Sequence, residues 1–181
     1  NKVALFALVV VILMIFLALF ASLISPQNPY DLANLSLMDS RRPPGFVGSG
    51  GYTHVLGTDP QGRDLLSAIF YGLRISIQIG LAAGFVSLTI GTALGIAAAY
   101  LGGRVEALIM RLVDLQLSFP AILLALVIVA LLGQGKVQLI GALVAAQYAY
   151  FARTAYGAAK AERGKDYIEA ALATPLSGRL V

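Results

Sequence analysis

The sequence predicts an all-α membrane protein, a polytopic helical bundle, on three observations. Long stretches carry no charged side chain: between Lys2 and Asp31, between Arg74 and Arg104, between Asp114 and Lys136, and between Lys136 and Arg153. Of 181 residues, 59% are hydrophobic and only 12% charged, and the charges gather between the apolar runs instead of coating every helix as in a soluble bundle. Each gap holds an apolar helix that reaches or approaches the ~20 residues needed to cross a hydrocarbon core of about 30 Å. A simple soluble domain is excluded. The net charge of +4 is no nucleic-acid signal, because Lys160, Arg163 and Lys165 directly follow an apolar run, where positive residues mark the cytoplasmic side. Cysteine is absent, so no disulfide or thiolate chemistry enters.

Four transmembrane helices are expected, over residues 3–24, 75–101, 105–132 and 137–155. The first resembles the apolar part of an export signal but is too long for one and lacks a cleavage region, so it is read as a retained crossing. In the second, Gly80 and Gly84, and again Gly91 and Gly95, form small-residue pairs at a spacing of four that let helix backbones approach closely. The third opens with amphipathic turns carrying Glu106, Arg111 and Asp114, and Pro120 removes a helical donor where its continuously apolar part begins, which predicts a bend. The fourth carries Gln147, Tyr148 and Tyr150 in its cytoplasmic half, either lining a wet translocation path or forming an interfacial aromatic belt.

These spans divide the chain into an N-terminal transmembrane helix (1–24), an extracytoplasmic loop with a short helical segment (25–74) and a core (75–181) that is expected to be incomplete at its C-terminus. The basic residues of the short connections place the N-terminus, Arg104 and the cluster from Arg153 to Lys165 on the cytoplasmic side. In the outward region Asp59, Arg63 and Asp64 are suited to capping a short helix and pairing across its first turns. His54 stands alone in a Gly-rich loop with no second ligand at metal-binding spacing, and no metal site is expected.

Residues 159–181 read as an amphipathic helix at a water interface, with Lys160, Arg163, Asp166 and Glu169 recurring at spacings of three and four. Glu169 beside Ala170 and Ala171 is suited to seating in a partner's groove against a basic side chain. No catalytic residue is expected, since no nucleophile or metal cluster lies near it in the sequence. No Gly-rich loop followed by Lys and Ser or Thr is present to cradle phosphates either.

The run Asp166-Tyr167-Ile168-Glu169-Ala170-Ala171, coming after several spans, resembles the cytoplasmic coupling motif of ABC importer permeases. A second stretch, Leu56-Gly57-Thr58-Asp59-Pro60-Gln61-Gly62-Arg63-Asp64-Leu65-Leu66-Ser67 continued by Tyr71-Gly72-Leu73-Arg74-Ile75-Ser76, is similar to the segment before the second helix in the C-type permease of dipeptide, oligopeptide and nickel importers. Asp114 and Ser118-Phe119-Pro120-Ala121-Ile122-Leu123-Leu124-Ala125 agree with the third-helix pattern of that family. Where the family usually has glycine six residues after the motif glutamate, this chain has Pro175, with Gly178 following.

The resemblance implies a type I importer permease in the bacterial inner membrane that pairs with a homologous second permease. Two cytoplasmic ATP-binding subunits would hold ATP and magnesium, and an extracytoplasmic solute-binding protein would deliver substrate. Asp166, Tyr167, Glu169, Ala170, Ala171, Pro175 and Gly178 would then form the contact with the ATP-binding subunits. Gly57, Thr58, Asp59, Gly62, Arg63, Asp64, Ser67, Gly72, Arg74 and Ser76 would form the family segment before the second helix. Short peptides are the implied substrate, with nickel or a metal chelate as the alternative. A secondary transporter or channel, or a nontransporting scaffold, is the competing class; the first would carry carboxylates at mid-span, which this chain lacks.

Overall fold

Backbone polar groups in lipid find no water, so apolar runs of this length satisfy them internally as helices. The computed structural model describes residues 1–168 and contains six α-helices among them. Glu169, Ala170, Ala171, Pro175 and Gly178 therefore lie outside the described residues. The chain divides into two units, Asn1–Gln78 and the part from Ile79 onward, and the long helix α3 contributes its first turns to one and the remainder to the other.

The first unit opens with α1 (Lys2–Leu19), capped by the Asn1 side chain, which accepts from Val3 N at 3.2 Å. A short α2 (Ala21–Ile24) follows the break at Phe20. Two single 3-10 turns, Leu32–Asn34 and Leu37–Asp39, lead to a two-residue antiparallel hairpin of β1 (Phe46–Val47) and β2 (Thr53–His54). This hairpin is the one departure from the all-α expectation among the described residues.

Helix α3 runs over Leu65–Leu101, 37 residues and so about 55 Å of helix. The short helical segment expected within residues 25–74 is therefore the opening of α3, which starts ten residues before the expected span. No Gly or Pro pair interrupts the chain at Arg74, so the helix runs through the charge that had marked its start.

The expected third span is two helices, α4 (Gly103–Leu117) and α5 (Ala121–Leu132), bent by 90° at their junction. A break replaces the predicted bend because three effects coincide. The Ser118 hydroxyl and backbone N–H both turn back to the Asp114 carbonyl, at 2.9 and 3.1 Å. Pro120 offers no N–H and takes an extended ψ of 121°. An amphipathic helix then gives way to a wholly apolar one.

Helix α6 (Lys136–Arg163) is longer than the expected fourth span, and it absorbs Lys160 and Arg163 into its last turn instead of leaving them on a separate interfacial helix. By length and composition α1 and α3 suffice to cross a membrane, and a third crossing is available if α4 and α5 are one broken span. α6 lacks the apolarity because its buried positions are alanines, Ala142, Ala146, Ala149 and Ala152, and it also carries Gln147, three tyrosines and four basic side chains.

That alanine face is what α3 packs on. A Cβ on Gly91 would lie 2.6 Å from Phe151 Cβ and closer still to the Tyr148 carbonyl oxygen. One on Gly95 would lie 2.8 Å from Tyr156 N and 2.9 Å from Ala155 Cβ. The backbones thus meet across two glycines. Ala98 continues the α3 contact into a core with Met110, Val113, Ala149 and Ala152. Gly80 and Gly84 meet nothing within 4 Å among the described residues.

A leucine at Gly95 should cost about 1–3 kcal/mol by overpacking, whereas a leucine at Gly84 should cost the isolated subunit almost nothing. Unfolding midpoints of the two purified variants in detergent check this, and equal midpoints would contradict it.

Candidate functional site

The segment before α3 is built as a clasp in which nearly every polar side chain is spent internally. Gly57 and Gly62 have φ of +82° and +76°, and a side chain on either would strike backbone: Arg42 O and Pro43 C for the first, Ser36 O and Ser36 C for the second. Thr58 Oγ1 donates to Asp39 O and accepts from Arg42 N at 2.8 Å. Asp59 accepts from Gln61 N at 2.8 Å, Arg63 N at 2.9 Å and Arg63 Nε at 2.8 Å, closing a turn.

Asp64 is fully buried and is the centre of the clasp. Its Oδ2 accepts from Ser67 N at 2.7 Å, which makes it the N-cap of α3, and its Oδ1 faces His54 Nδ1 at 3.0 Å. Its own backbone N–H donates to Gln27 Oε1 at 2.7 Å, and the Ser67 hydroxyl accepts from Gln27 N at 3.4 Å. The helix that Asp64 caps is the long α3, not a short one, and Asp59 and Arg63 pair before it begins. His54 is a buried structural histidine between the rings of Phe46 and Tyr52. No group of three or more His, Cys, Asp or Glu suited to a metal occurs among the described residues.

Two carboxylates of the clasp titrate low. The Ser49 hydroxyl at 2.6 Å and its backbone N–H at 2.9 Å hold Asp39 below its ordinary value of 3.8. At Asp59, burial pushes the other way but is outweighed by the Arg63 and Gln61 N–H groups and the Arg63 guanidinium. Gly72 meets nothing within 4 Å, Arg74 is half-buried and Ser76 is exposed.

At the far end of α3, in the second unit, a charged belt joins three helices. The α4 to α6 contacts descend in number on one helix as they rise on the other: Glu106 with Tyr156 and Lys160, Asp114 with Arg153, and Gln116 Nε2 to Ala145 O. Those two helices are antiparallel. The α3 to α6 contacts rise together, from Gly91 beside Phe151 to Ala99 beside Arg163, so those helices are parallel. Arg163 Nη1 donates to Ala99 O at 2.6 Å and Tyr100 O at 2.8 Å, supplying donors and positive charge to carbonyls that a helix end leaves unpaired. Lys160 Nζ lies 2.6 Å from Glu106 Oε1, which also accepts from the Tyr156 hydroxyl.

Beyond α6, Lys165 and Tyr167 both return to Glu162, the former at 2.7 Å. Of the expected coupling residues, Asp166 and Tyr167 are therefore described, and they sit one short turn beyond the belt. Of the expected path residues, Gln147 and Tyr150 are exposed and Tyr148 leans on the Met110 core. Gln27, Asp39, Ser49 and the whole belt were not singled out together by the sequence, because their partners lie 10 to 64 residues away.

Asp64→Ala should remove the α3 cap and leave the His54 and Ser67 N–H donors unpaired in a buried place, costing about 2–4 kcal/mol; an unchanged unfolding midpoint would contradict this. Depressed carboxylates stabilise fully above their unfolded pKa and lose that contribution as the pH falls through the folded one. Hydrogen-exchange protection of the clasp should therefore hold at neutral pH and decline as the pH drops below about 3.8. Protection that declined instead between pH 7 and 5 would speak against these pairs.

Comparison with known proteins accords with this geometry. Residues 91–179 match the family model described as binding-protein-dependent transport system inner membrane component. Residues 1–44 match the N-terminal TM domain of oligopeptide transport permease C. The chain is 38% identical over 170 residues to the di/tripeptide transport system permease protein DppC of Pseudomonas aeruginosa, covering 94% of this chain and 55% of that one. It is 39% identical over 170 residues to the dipeptide transport system permease protein DppC of Escherichia coli, covering 94% and 56%. To the oligopeptide transport system permease protein OppC of Bacillus subtilis it is 30% identical over 168 residues, covering 93% and 52%. The chain thus spans about half the length of the curated relatives it matches. With two models of one transport system matching along it and relatives of one kind aligned over nearly all its residues, the chain belongs to the C-type permease family of dipeptide and oligopeptide ABC importers.

Proposed function

We propose that this chain is the non-catalytic transmembrane subunit of an ATP-driven importer of short peptides. One observation carries the reading: α3 and α6 run parallel with α4 antiparallel between their ends, so Arg104, Lys160, Arg163 and Lys165 gather on one side, directly ahead of the coupling motif. Basic residues at one end of a bundle mark its cytoplasmic side.

On this topology the N-terminus is cytoplasmic and α1 crosses outward. Residues 25–74 face outward, α3 returns, α4 with α5 forms one broken crossing, and α6 returns again. These are four crossings, of which α6 is the least apolar; its 28 residues span about 42 Å, long enough to cross with its alanine face against neighbours instead of lipid. The division into 1–24, 25–74 and 75–181 follows this topology, and α3 already begins inside the outward segment.

The chain pairs with a homologous permease, with Gln147, Tyr148 and Tyr150 toward the path between them. Asp166, Tyr167, Glu169, Ala170, Ala171, Pro175 and Gly178 meet an ATP-binding subunit, where ATP and magnesium reside. The clasp presents a rigid outward surface to a solute-binding protein. Peptide as substrate is supported by what the relatives are named to carry.

The test is ATPase activity of the lipid-reconstituted complex with and without peptide-loaded binding protein. Several-fold stimulation is expected, and none from a verified complex would overturn the reading. Glu169→Lys should replace attraction to a basic groove with repulsion and abolish that stimulation while the complex still assembles; stimulation equal to wild type would remove Glu169 from the contact. Exchanging the binding protein for a noncognate one should change which substrate is taken up more than any single substitution in this chain.

A further inference from the structure

We infer that Glu106, Lys160 and Arg163 are positioning residues that lock the ends of α3, α4 and α6 into one body, so that movement of the coupling segment reaches all three helices together. The inference rests on the importer reading and names residues that the coupling motif does not include.

Three observations carry it. Arg163 is the last residue of α6, three before the motif begins at Asp166, and its guanidinium grips the Ala99 and Tyr100 carbonyls at the end of α3 at 2.6 and 2.8 Å. One turn earlier on α6, Lys160 reaches Glu106 at 2.6 Å in the first turn of α4, and Tyr156 donates to the same carboxylate. Glu162 then holds Lys165 and Tyr167 and so ties the first residues beyond α6 back to its last turn.

The chemistry suits a mechanical joint. Charge-assisted hydrogen bonds are short, directional and about twice as strong as neutral ones, and one Arg163 nitrogen, Nη1, meets two successive carbonyls at the end of α3. Apolar packing alone would let helices slide, because lipid competes equally for such surfaces. Beneath the clamp, α3 and α6 touch backbone to backbone through Gly91 and Gly95, leaving no side-chain layer to absorb a relative shift. A push on the segment after α6 therefore displaces α3 and α4 without loss.

The test uses the complete complex in lipid. Glu106→Lys and Lys160→Glu should each lower peptide transported per ATP hydrolysed by about 5-fold or more, and the double variant with the charges exchanged should recover most of it. Recovery separates a specific pair from general loss of folding. As an independent measurement that needs no loss of the clamp, spin labels at Leu101→Cys and Ala158→Cys should keep the same separation in nucleotide-free and ATP-trapped states. A change approaching one helical turn, about 5 Å, would overturn the single-body reading. So would single variants that transport as the wild type does per ATP, or a double variant as poor as the singles. A wild-type complex that fails to transport at all overturns the importer reading itself, an outcome separable from any comparison of variants.

Discussion

The close approach of α3 and α6 is the contact from which the second unit takes its geometry. It exists because two glycines on one helix face a stripe of alanines on the other, and because in lipid such surfaces associate by packing and not by exclusion of water. Once the backbones touch, register follows. Gly95 against Ala155 and Tyr156 places Ala99 and Tyr100 under Arg163, and the same turn of α6 offers Tyr156 and Lys160 to Glu106. A side chain at either glycine would remove more than local packing, because it would carry α3 away from the Arg163 donor that meets its Ala99 and Tyr100 carbonyls.

The first unit solves a different problem with different means. A segment rich in Pro, Gly and Asp has little apolar surface to bury, so it is held by hydrogen bonds to buried polar groups, with Asp64 meeting His54 Nδ1 and the Ser67 N–H together. The glycines of the family segment are required by positive φ and by backbone contact, and its Thr, Asp and Arg close turns. The motif's specificity is thus a folding requirement. Long helix α3 then starts from a fixed cap instead of fraying into the loop.

Much of this was legible from residue order. Uncharged intervals marked the apolar helices, and glycine spacing singled out Gly91 and Gly95, though it gave no means of distinguishing them from Gly80 and Gly84, which meet nothing within 4 Å among the described residues. Pro120 signalled a bend, but its size depended on Ser118 folding back on Asp114, a local hydrogen bond that spacing does not encode. Helix ends were the least legible. Arg74 looked like the start of a span because charge was read as a boundary, whereas the cap that starts α3 lies at Asp64. Lys160 and Arg163 looked like a free amphipathic surface because the groups that bind them, Glu106 and the Ala99 and Tyr100 carbonyls, are more than fifty residues distant.

The first unit supplies a hydrogen-bonded clasp, and the second a pair of tightly seated helices and a charge-locked end just before Asp166. On the proposed reading, those parts suit a subunit that receives force from ATP-binding partners and does no chemistry itself. The central claim is that transport through it is driven by ATP in those partners. Uptake of a labelled dipeptide into sealed proteoliposomes holding the complete complex, with ATP inside or absent and with ion gradients collapsed by ionophores, addresses this directly. The account predicts accumulation that requires internal ATP and loaded binding protein and survives the ionophores; accumulation without ATP that disappears with the ion gradient would contradict it.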